Sequence, residues 1–523
     1  MNRFLGVFRP FTVTRVAFSP MLNRLLIVSV FIVASCGLAY ELIAGALASY
    51  LLGDSILQFS TIIGCYLFAM GVGSHLSRYI NDEDALSRFI DVELLVGLIG
   101  GISALLLFVI FGWFSAPFRT VLYALVFIIG VLVGMEIPLV MRILNSRNET
   151  FREMVSRVLT FDYLGALAVS LLFPLVLAPS LGLARTGLLF GILNVGVALL
   201  AIRAFRSELK PTLWLPARAL VVLSLLTVGF GYANRITSWA EQGVLGDPII
   251  YSNTTPYQRL VVTRWHDDTR LFINGNLQFS SRDEHRYHEA LVHPAMQALP
   301  AARRVLVLGG GDGLAVRELL KYPRLEHVTL VDLDPVMTEL FSRVPDLTAL
   351  NQNALNDKRV LVVNADAAQW LETHEGIYDL VVIDLPDPSS FALGKLYSVP
   401  MYQQVARHLS ENGYVVVQST SPYHAPHAYW CVVETLRAAG LHTWPYHAYV
   451  PSFGEWGFVL AGKKNRFVIP TGYEVPTRFL DGEVTRQMFH FPPDMHPPEV
   501  EANYLNTQVL VRYFEQDWQN AIR

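Results

Sequence analysis

The sequence predicts a chain of two kinds: a multi-helix transmembrane domain of about seven helices, then a small β-region and an α/β, Rossmann-like, doubly wound domain. Three observations predict it. Only 16% of the 523 residues are charged, against roughly 25% in soluble domains, and the deficit is concentrated before residue 233. That half consists of apolar runs of about 20 residues, the length that crosses the hydrocarbon core of a bilayer. Beyond it, short apolar strands alternate with helical stretches, and one strand runs into a glycine-rich turn. The expected boundaries are 1–233 for the transmembrane helices, 234–300 for a connector and the small β-region, 301–463 for the Rossmann-like domain and 464–523 for a C-terminal extension.

The apolar segments lie near 25–46, 56–77, 92–113, 119–141, 160–180, 184–203 and 214–233. Glycines scattered through them, as in "GLIGGIS", suit close helix packing. Basic residues gather before the first segment (Arg3, Arg9, Arg15, Arg24) and in alternate loops (Arg78 and Arg88; Arg142, Arg147, Arg152 and Arg157; Arg203, Arg206 and Lys210). By the positive-inside rule the N-terminus is cytoplasmic. The first apolar stretch is too long for a signal-peptide core and reads as a retained anchor. Glu41, Glu136 and Asp162 fall within or at the ends of these helices, which makes them candidate functional residues; the alternative is an interfacial or interhelical hydrogen bond.

A net charge of -4 and a pI near 6.4 give no reason to expect nucleic acid. Three cysteines, Cys36, Cys65 and Cys431, fit neither a disulfide framework nor a metal site, and no metal or prosthetic group is expected.

After residue 247, "PIIYSNTTPYQRLVVTRW" and "TRLFINGNLQFS" read as short strands joined by the turn "HDDT", and "SSRDEHRYHEALVHPAM" runs into a helix. "RRVLVLGGGDGLAVRELLKY" is strand, glycine turn and helix start. "HVTLVDLDP" is a second strand ending in Asp332, about 20 residues after the glycines, an arrangement suited to a dinucleotide or a nucleoside, whose ribose hydroxyls the acid would bond. "RVLVVNAD", "YDLVVIDLPD", "GYVVVQST" and "GFVLAG" supply further strands, and the alternation predicts a parallel sheet with ligands at its carboxyl ends.

Asp312 in the turn and Asp332, Asp366 and Asp384 at successive strand ends point to one crevice. Such aspartates can also merely cap the following helix. No Lys or Arg closely follows the turn to hold phosphate, so an acid-lined nucleoside crevice suits a cationic donor such as a sulfonium nucleoside.

"LFINGNLQFSSRDEHRYHEALVHP", "VLVLGGGDGLAVRELLKYPRLEHVTLVDLDP" and "DLPDPSS", in that order over roughly 250–462, resemble the spermidine synthase family, the polyamine aminopropyltransferases, and the whole chain resembles its membrane-bound bacterial branch. The resemblance implies transfer of an aminopropyl group from decarboxylated S-adenosylmethionine, a co-substrate, to an amine such as putrescine, giving spermidine and methylthioadenosine. It implies donor binding by Gln258, the turn glycines Gly309, Gly310, Gly311 and Gly313, Asp312 (aminopropyl ammonium), Asp332 (ribose), Asp366 and Ala367 (adenine). It implies acceptor binding by Gln278, Tyr287, His288, Asp387 and Phe453, with Asp384 as general base. An amine must lose a proton to attack carbon, so the chemistry requires a carboxylate within hydrogen-bond reach. Three positions depart from the family pattern: "DPSSFA" replaces "DP-x-GP", "PSF" with Phe453 replaces "PTY", and Asp332 replaces a glutamate.

Two other readings use the same residues: a methyltransferase taking intact S-adenosylmethionine, and a polyamine transporter or sensor with a non-catalytic synthase-like domain. The resemblance also implies a multi-pass protein of the bacterial inner membrane, in contact with the lipid bilayer, and soluble relatives that form homo-oligomers. Seven crossings from a cytoplasmic N-terminus put the catalytic half outside, whereas its donor is made in the cytoplasm. The cytoplasmic side is preferred, with the Pro-interrupted 160–180 segment the first expected not to span.

Overall fold

A computed structural model describes residues 20–52, 55–114, 118–145, 151–209 and 213–522. Arg3, Arg9, Arg15, Arg147 and Lys210, part of the orientation argument, lie outside them. The chain divides near residue 245 into two compact units.

The first unit is helical: α1 (Pro20–Leu52), α2 (Ser55–Leu76), α3 (Ala85–Trp113), α4 (Phe118–Asn145), α5 (Phe151–Leu172), α6 (Ala178–Ala204) and α7 (Trp214–Leu245). Among the described residues six stretches are long and apolar enough to cross a membrane. The count is six rather than seven because 160–180 and 184–203 belong to one stretch, Phe151–Ala204, continuous through a widened turn at Phe173–Leu177. That stretch is not straight. Gly182 has φ 74° and ψ 168°, outside the helical region. Ser35 of α1 donates to the Gly165 carbonyl (3.1 Å) while the adjacent Cys36 thiol donates to the Phe190 carbonyl (3.5 Å). Residues 165 and 190 would be about 37 Å apart on one rod, so α5 and α6 fold back on each other. Glycine brings α3 and α6 together: a Cβ on Gly97 would lie 2.9 Å from the Gly191 carbonyl oxygen, and one on Gly191 2.6 Å from that of Gly97. Residues 234–245, expected as connector, are the last turns of α7.

The second unit opens with a four-stranded antiparallel meander in the order β1 (Ile249–Thr254), β2 (Arg259–Trp265), β3 (Asp268–Ile273), β4 (Asn276–Ser280). "LFINGNLQFS", read as one strand, is two. Asn274 (φ 51°) and Gly275 (φ 82°) both adopt the left-handed conformation of a tight hairpin turn, which an Asn-Gly pair favours.

After α8 (Glu284–Gln297), a seven-stranded sheet forms from β5 (Arg304–Gly309), β6 (His327–Asp332), β7 (Val360–Asn364), β8 (Tyr378–Asp384), β9 (Leu409–Gln418), β10 (His442–Val450) and β11 (Gly454–Gly462), with α9 (Leu314–Leu320) and α10 (Pro335–Arg343) after β5 and β6. The order is β10-β11-β9-β8-β5-β6-β7. β7, β6, β5, β8 and β9 are mutually parallel, as the alternation predicts. β11 and β10 add an antiparallel hairpin, so the sheet is mixed, because a short turn rather than a crossover helix joins the last two strands. The chain leaves β5 for β6 on one side and returns to β8 on the other, which opens a crevice between the carboxyl ends of β5 and β8. Two apolar layers enclose the sheet. The C-terminal extension contributes to both: Val475, Leu480 and Met488 join one, Val509 and Leu510 the other. On the first side Glu289 of α8 anchors it, accepting from the backbone N–H groups of Arg478, Phe479 and Leu480 (2.7, 2.9 and 3.1 Å).

Candidate active site

The turn after β5 is built so that backbone passes between two carboxylates. Gly309 (φ 81°) pairs with Asp384 across the parallel ladder, and a Cβ there would sit 2.1 Å from the Asp384 carbonyl oxygen. Gly310 (φ 64°) donates its N–H to that same oxygen at 3.0 Å. On the other side the Gly311 N–H donates to Asp332 Oδ2 (3.1 Å), leaving no room for a side chain. Asp312 turns inward, is 8% exposed, and accepts from the Leu314 N–H at 2.9 Å.

The acids so assembled prefer to hold their protons. Burial pushes Asp312 up to about 6, with nearby Asp384 adding to it and His288 opposing. Burial likewise lifts Asp332 to about 6, against the N–H donors of Asp334 and Gly311. Asp384 is raised by burial although His288 and the Tyr287 hydroxyl, which donates to its Oδ1 at 2.6 Å, pull the other way. Asp387 reaches about 7, again through burial, despite long bonds from Gln418 Nε2 and Thr420 Oγ1 (both 3.4 Å). Among the described residues no lysine or arginine forms an ion pair with Asp312, Asp332, Asp384 or Asp387. Arg317, four residues past the turn, is committed elsewhere: it donates bidentately to Glu284 (2.9 and 2.8 Å). Glu284 in turn lies 2.8 Å from His288 Nδ1. Burial opposes the charge on both members, yet their hydrogen bond prevails: Glu284 falls to about 2 and His288 is raised. Beside these acids stands His288, held by a buried Glu–Arg pair.

Asp312, Asp332, Asp384, Tyr287 and His288 meet around the glycine turn. Phe453 stands at its margin, its ring 6.2 Å from that of Tyr287. Gln258 reaches the loop after β6 by donating to Asp334 Oδ2 (3.0 Å), and Asp334 caps α10. Asp366 does cap a helix, Ala367–Thr373, accepting from the Ala368 and Gln369 N–H groups (2.9 and 3.2 Å), and pairs with Lys395 at 3.2 Å. Burial works against its charge, but these N–H groups and Lys395 hold it below the usual range. Gln278 donates within its own strand, to the Asn276 carbonyl (3.2 Å), and bonds to none of the acids.

Four residues outside the sequence reading shape the loop carrying Asp387. The Tyr397 hydroxyl, fully buried, donates to the Leu385 and Pro386 carbonyls (3.0 and 3.1 Å). Gln418 donates to that hydroxyl (2.8 Å) and also to the Leu385 carbonyl, and Trp456 Nε1 donates to Gln418 Oε1 (3.3 Å). Asn503 in the extension donates to the Gly394 and Tyr397 carbonyls, both at 3.0 Å. No spacing links these positions in the sequence; the one local signal was Gln418 at the end of an apolar strand.

The chain is similar to known proteins over most of its length. Residues 284–470 match the spermine/spermidine synthase domain. Polyamine aminopropyltransferase 2 of Ralstonia nicotianae is 64% identical over 506 residues, covering 96% of this chain and 99% of its own. The polyamine aminopropyltransferase of Leptospira interrogans is 50% identical, over 95% of this chain and 99% of its own. A solved spermidine synthase in complex with the transition state analogue AdoDATO is similar to 47% of this chain over 86% of its own, with 23% identity and a TM-score of 0.44.

Proposed function

Because this chain belongs to the polyamine aminopropyltransferase family, we propose that it moves the aminopropyl group of decarboxylated S-adenosylmethionine to a diamine such as putrescine, releasing methylthioadenosine and spermidine. The observation that carries this reading is the set of buried carboxylates that, among the described residues, have no Lys or Arg counter-charge, each raised in pKa. Such a crevice is unfavourable when empty and is completed by a polycation. The donor carries a sulfonium and an ammonium, and the acceptor two ammonium groups.

In this proposal Asp384 takes the proton of the attacking ammonium and the freed nitrogen attacks the methylene next to sulfur. The C–N bond forms as the C–S bond breaks, and its electron pair stays on sulfur, which leaves as a neutral thioether. No general acid is required. The Tyr287 hydroxyl fixes the orientation of Asp384, and holding both substrates in line supplies much of the remaining acceleration. Asp387 anchors the distal ammonium, Asp312 the aminopropyl ammonium and Asp332 the ribose. Asp366 takes the adenine amino group, which requires Lys395 to give way. The methyltransferase and non-catalytic readings are not favoured, since the similar full-length proteins bear the aminopropyltransferase name.

The fold-back at Gly182 supports counting Phe151–Ala204 as two passes, hence seven crossings of a bacterial inner membrane. An odd count puts the ends of the helical unit on opposite faces.

The test is methylthioadenosine release by the purified full-length chain with decarboxylated S-adenosylmethionine and a panel of amines. Release that depends on the amine is expected; release independent of every amine would overturn the acceptor chemistry. The pH profile adds a second expectation. Asp387, at about 7, must be ionised to hold an ammonium. We expect kcat/KM for the diamine to fall by up to about tenfold per unit as pH drops below about 7, and Asp387→Asn to remove that limb. A profile flat down to the ordinary carboxylate range would contradict the burial argument. Third, Tyr397→Phe leaves the Pro386 carbonyl without its donor and the Leu385 carbonyl with Gln418 alone. It is expected to raise KM for the diamine about tenfold, from about 1–2 kcal/mol of lost loop ordering, with KM for the donor unchanged. An equal rise in both constants would mean that Tyr397 supports the whole crevice rather than the acceptor loop.

A further inference from the structure

The helical unit holds charge that aminopropyl transfer does not use. Glu93 on α3 is wholly buried and neither of its carboxylate oxygens has a hydrogen-bond partner. Glu136 on α4 is buried too, and its Oε1 is likewise unpartnered. The two glutamates lie within electrostatic reach of each other, and Glu136 also of Asp162 on α5. Among the described residues neither forms an ion pair. From α1 and α2 the groups within the same reach are Cys36, Tyr40 and Tyr66, with Glu41 in reach of Tyr66, and none of them is a cation.

Two neutral side chains are also unsatisfied there. Asn194 on α6 is wholly buried with both amide atoms unpartnered, and the Tyr40 hydroxyl has no partner. Both press on the face of α3 that carries Glu93. A Cβ placed on Gly97, one turn further on, would lie 3.2 Å from Asn194 Cβ, and one on Gly100 2.6 Å from the Tyr40 ring. The acids therefore coexist with unpartnered oxygen donors in an apolar surrounding. Carboxylates in such a place are costly unless a cation joins them.

One end of the site borders a small space. A cavity of about 10 Å³ between Tyr40, Tyr66, Ser103, Val126 and Ile129 touches it through Tyr40, whereas neither glutamate lines that cavity. It holds one water-sized species and no alkylamine chain. We propose that the bundle interior binds one small monovalent cation, a proton or an ion of sodium's size, at Glu93 and Glu136, with the Asn194 amide oxygen and Tyr40 hydroxyl as neutral donors. It is a site separate from the polyamine chemistry of the other unit.

The test uses the full-length protein in lipid nanodiscs, with thermal unfolding followed as N-methylglucamine chloride is replaced by sodium chloride at constant ionic strength, at several pH values. A saturable rise in Tm with sodium, on the order of 5 °C at about a hundredfold excess over Kd, identifies the ion. No sodium response, but a one-proton dependence of Tm on pH, identifies the proton. Either response is expected to vanish in Glu93→Gln and to weaken in Asn194→Leu. Glu136→Gln carries the test where Glu93→Gln does not fold, and amine-dependent methylthioadenosine release checks that each variant retains its other unit. Sodium and pH responses identical in wild type and variants would overturn the proposal. So would stabilisation by spermidine that the variants lose.

Discussion

Asp384→Asn is expected to lower kcat for methylthioadenosine release by about 10²–10⁴-fold while leaving the donor bound. The side chain keeps its shape, so the Tyr287 hydroxyl at 2.6 Å and the Gly310 N–H on the Asp384 backbone carbonyl keep their partner residue. What is lost is an atom able to take a proton. In single-turnover experiments with saturating donor and amine, the variant should bind both and stall. Activity within about tenfold of wild type would move the base to another group, Asp387 being the next carboxylate along the loop. The empty variant should also melt higher than wild type, because burial opposes the charge that Asn removes. A base that the fold tolerates poorly is the expected mark of a site tuned for activity rather than stability.

Gly309→Ala is expected to abolish the folded crevice. At φ 81° an L-residue is strained by about 1–2 kcal/mol. The larger effect is that its Cβ would lie 2.1 Å from the Asp384 carbonyl oxygen, which belongs to the neighbouring strand and cannot rotate away. Strands β5 and β8 must then separate where the donor binds, at a total cost of about 4 kcal/mol or more. Gly440→Ala is the control: φ is positive there too, at 90°, but nothing lies within 4 Å of the added Cβ. Thermal melts of the two variants separate strain from collision. Equal shifts would show that the strand ends can yield, and that the turn is less rigid than its contacts imply.

Much of this site could be read from the chain because its parts are local. An apolar run such as "VVIDLPD" ends in an acid where the strand emerges at the crevice, and each of β5, β6, β7 and β8 reaches one within three residues. β10 escaped notice for a physical reason. "HTWPYHAYV" carries histidines and Pro445, which a central strand would reject; as the edge strand of the sheet it tolerates them. Tyr397, Gln418 and Asn503 were not foreseeable either. Their bonds join segments up to 109 residues apart along the chain, and such contacts leave no spacing to read. Glu93 is the second residue of the apolar segment 92–113, and the helix around it begins about two turns before that segment, at Ala85.

The unpaired acids of the crevice bear on how long each molecule lasts. A carboxyl group whose proton is held more tightly in the folded state lowers stability as pH rises from its unfolded pKa, near 3.8, through its folded value; for Asp387 that loss is complete above about 7. At neutral pH the empty enzyme is therefore the most easily unfolded member of its own reaction cycle, and amines and donor oppose the loss by mass action. Proteolysis acts on the unfolded fraction. Cells short of substrate would clear this protein faster than cells well supplied with it, so its abundance would follow its own substrates without any separate regulator.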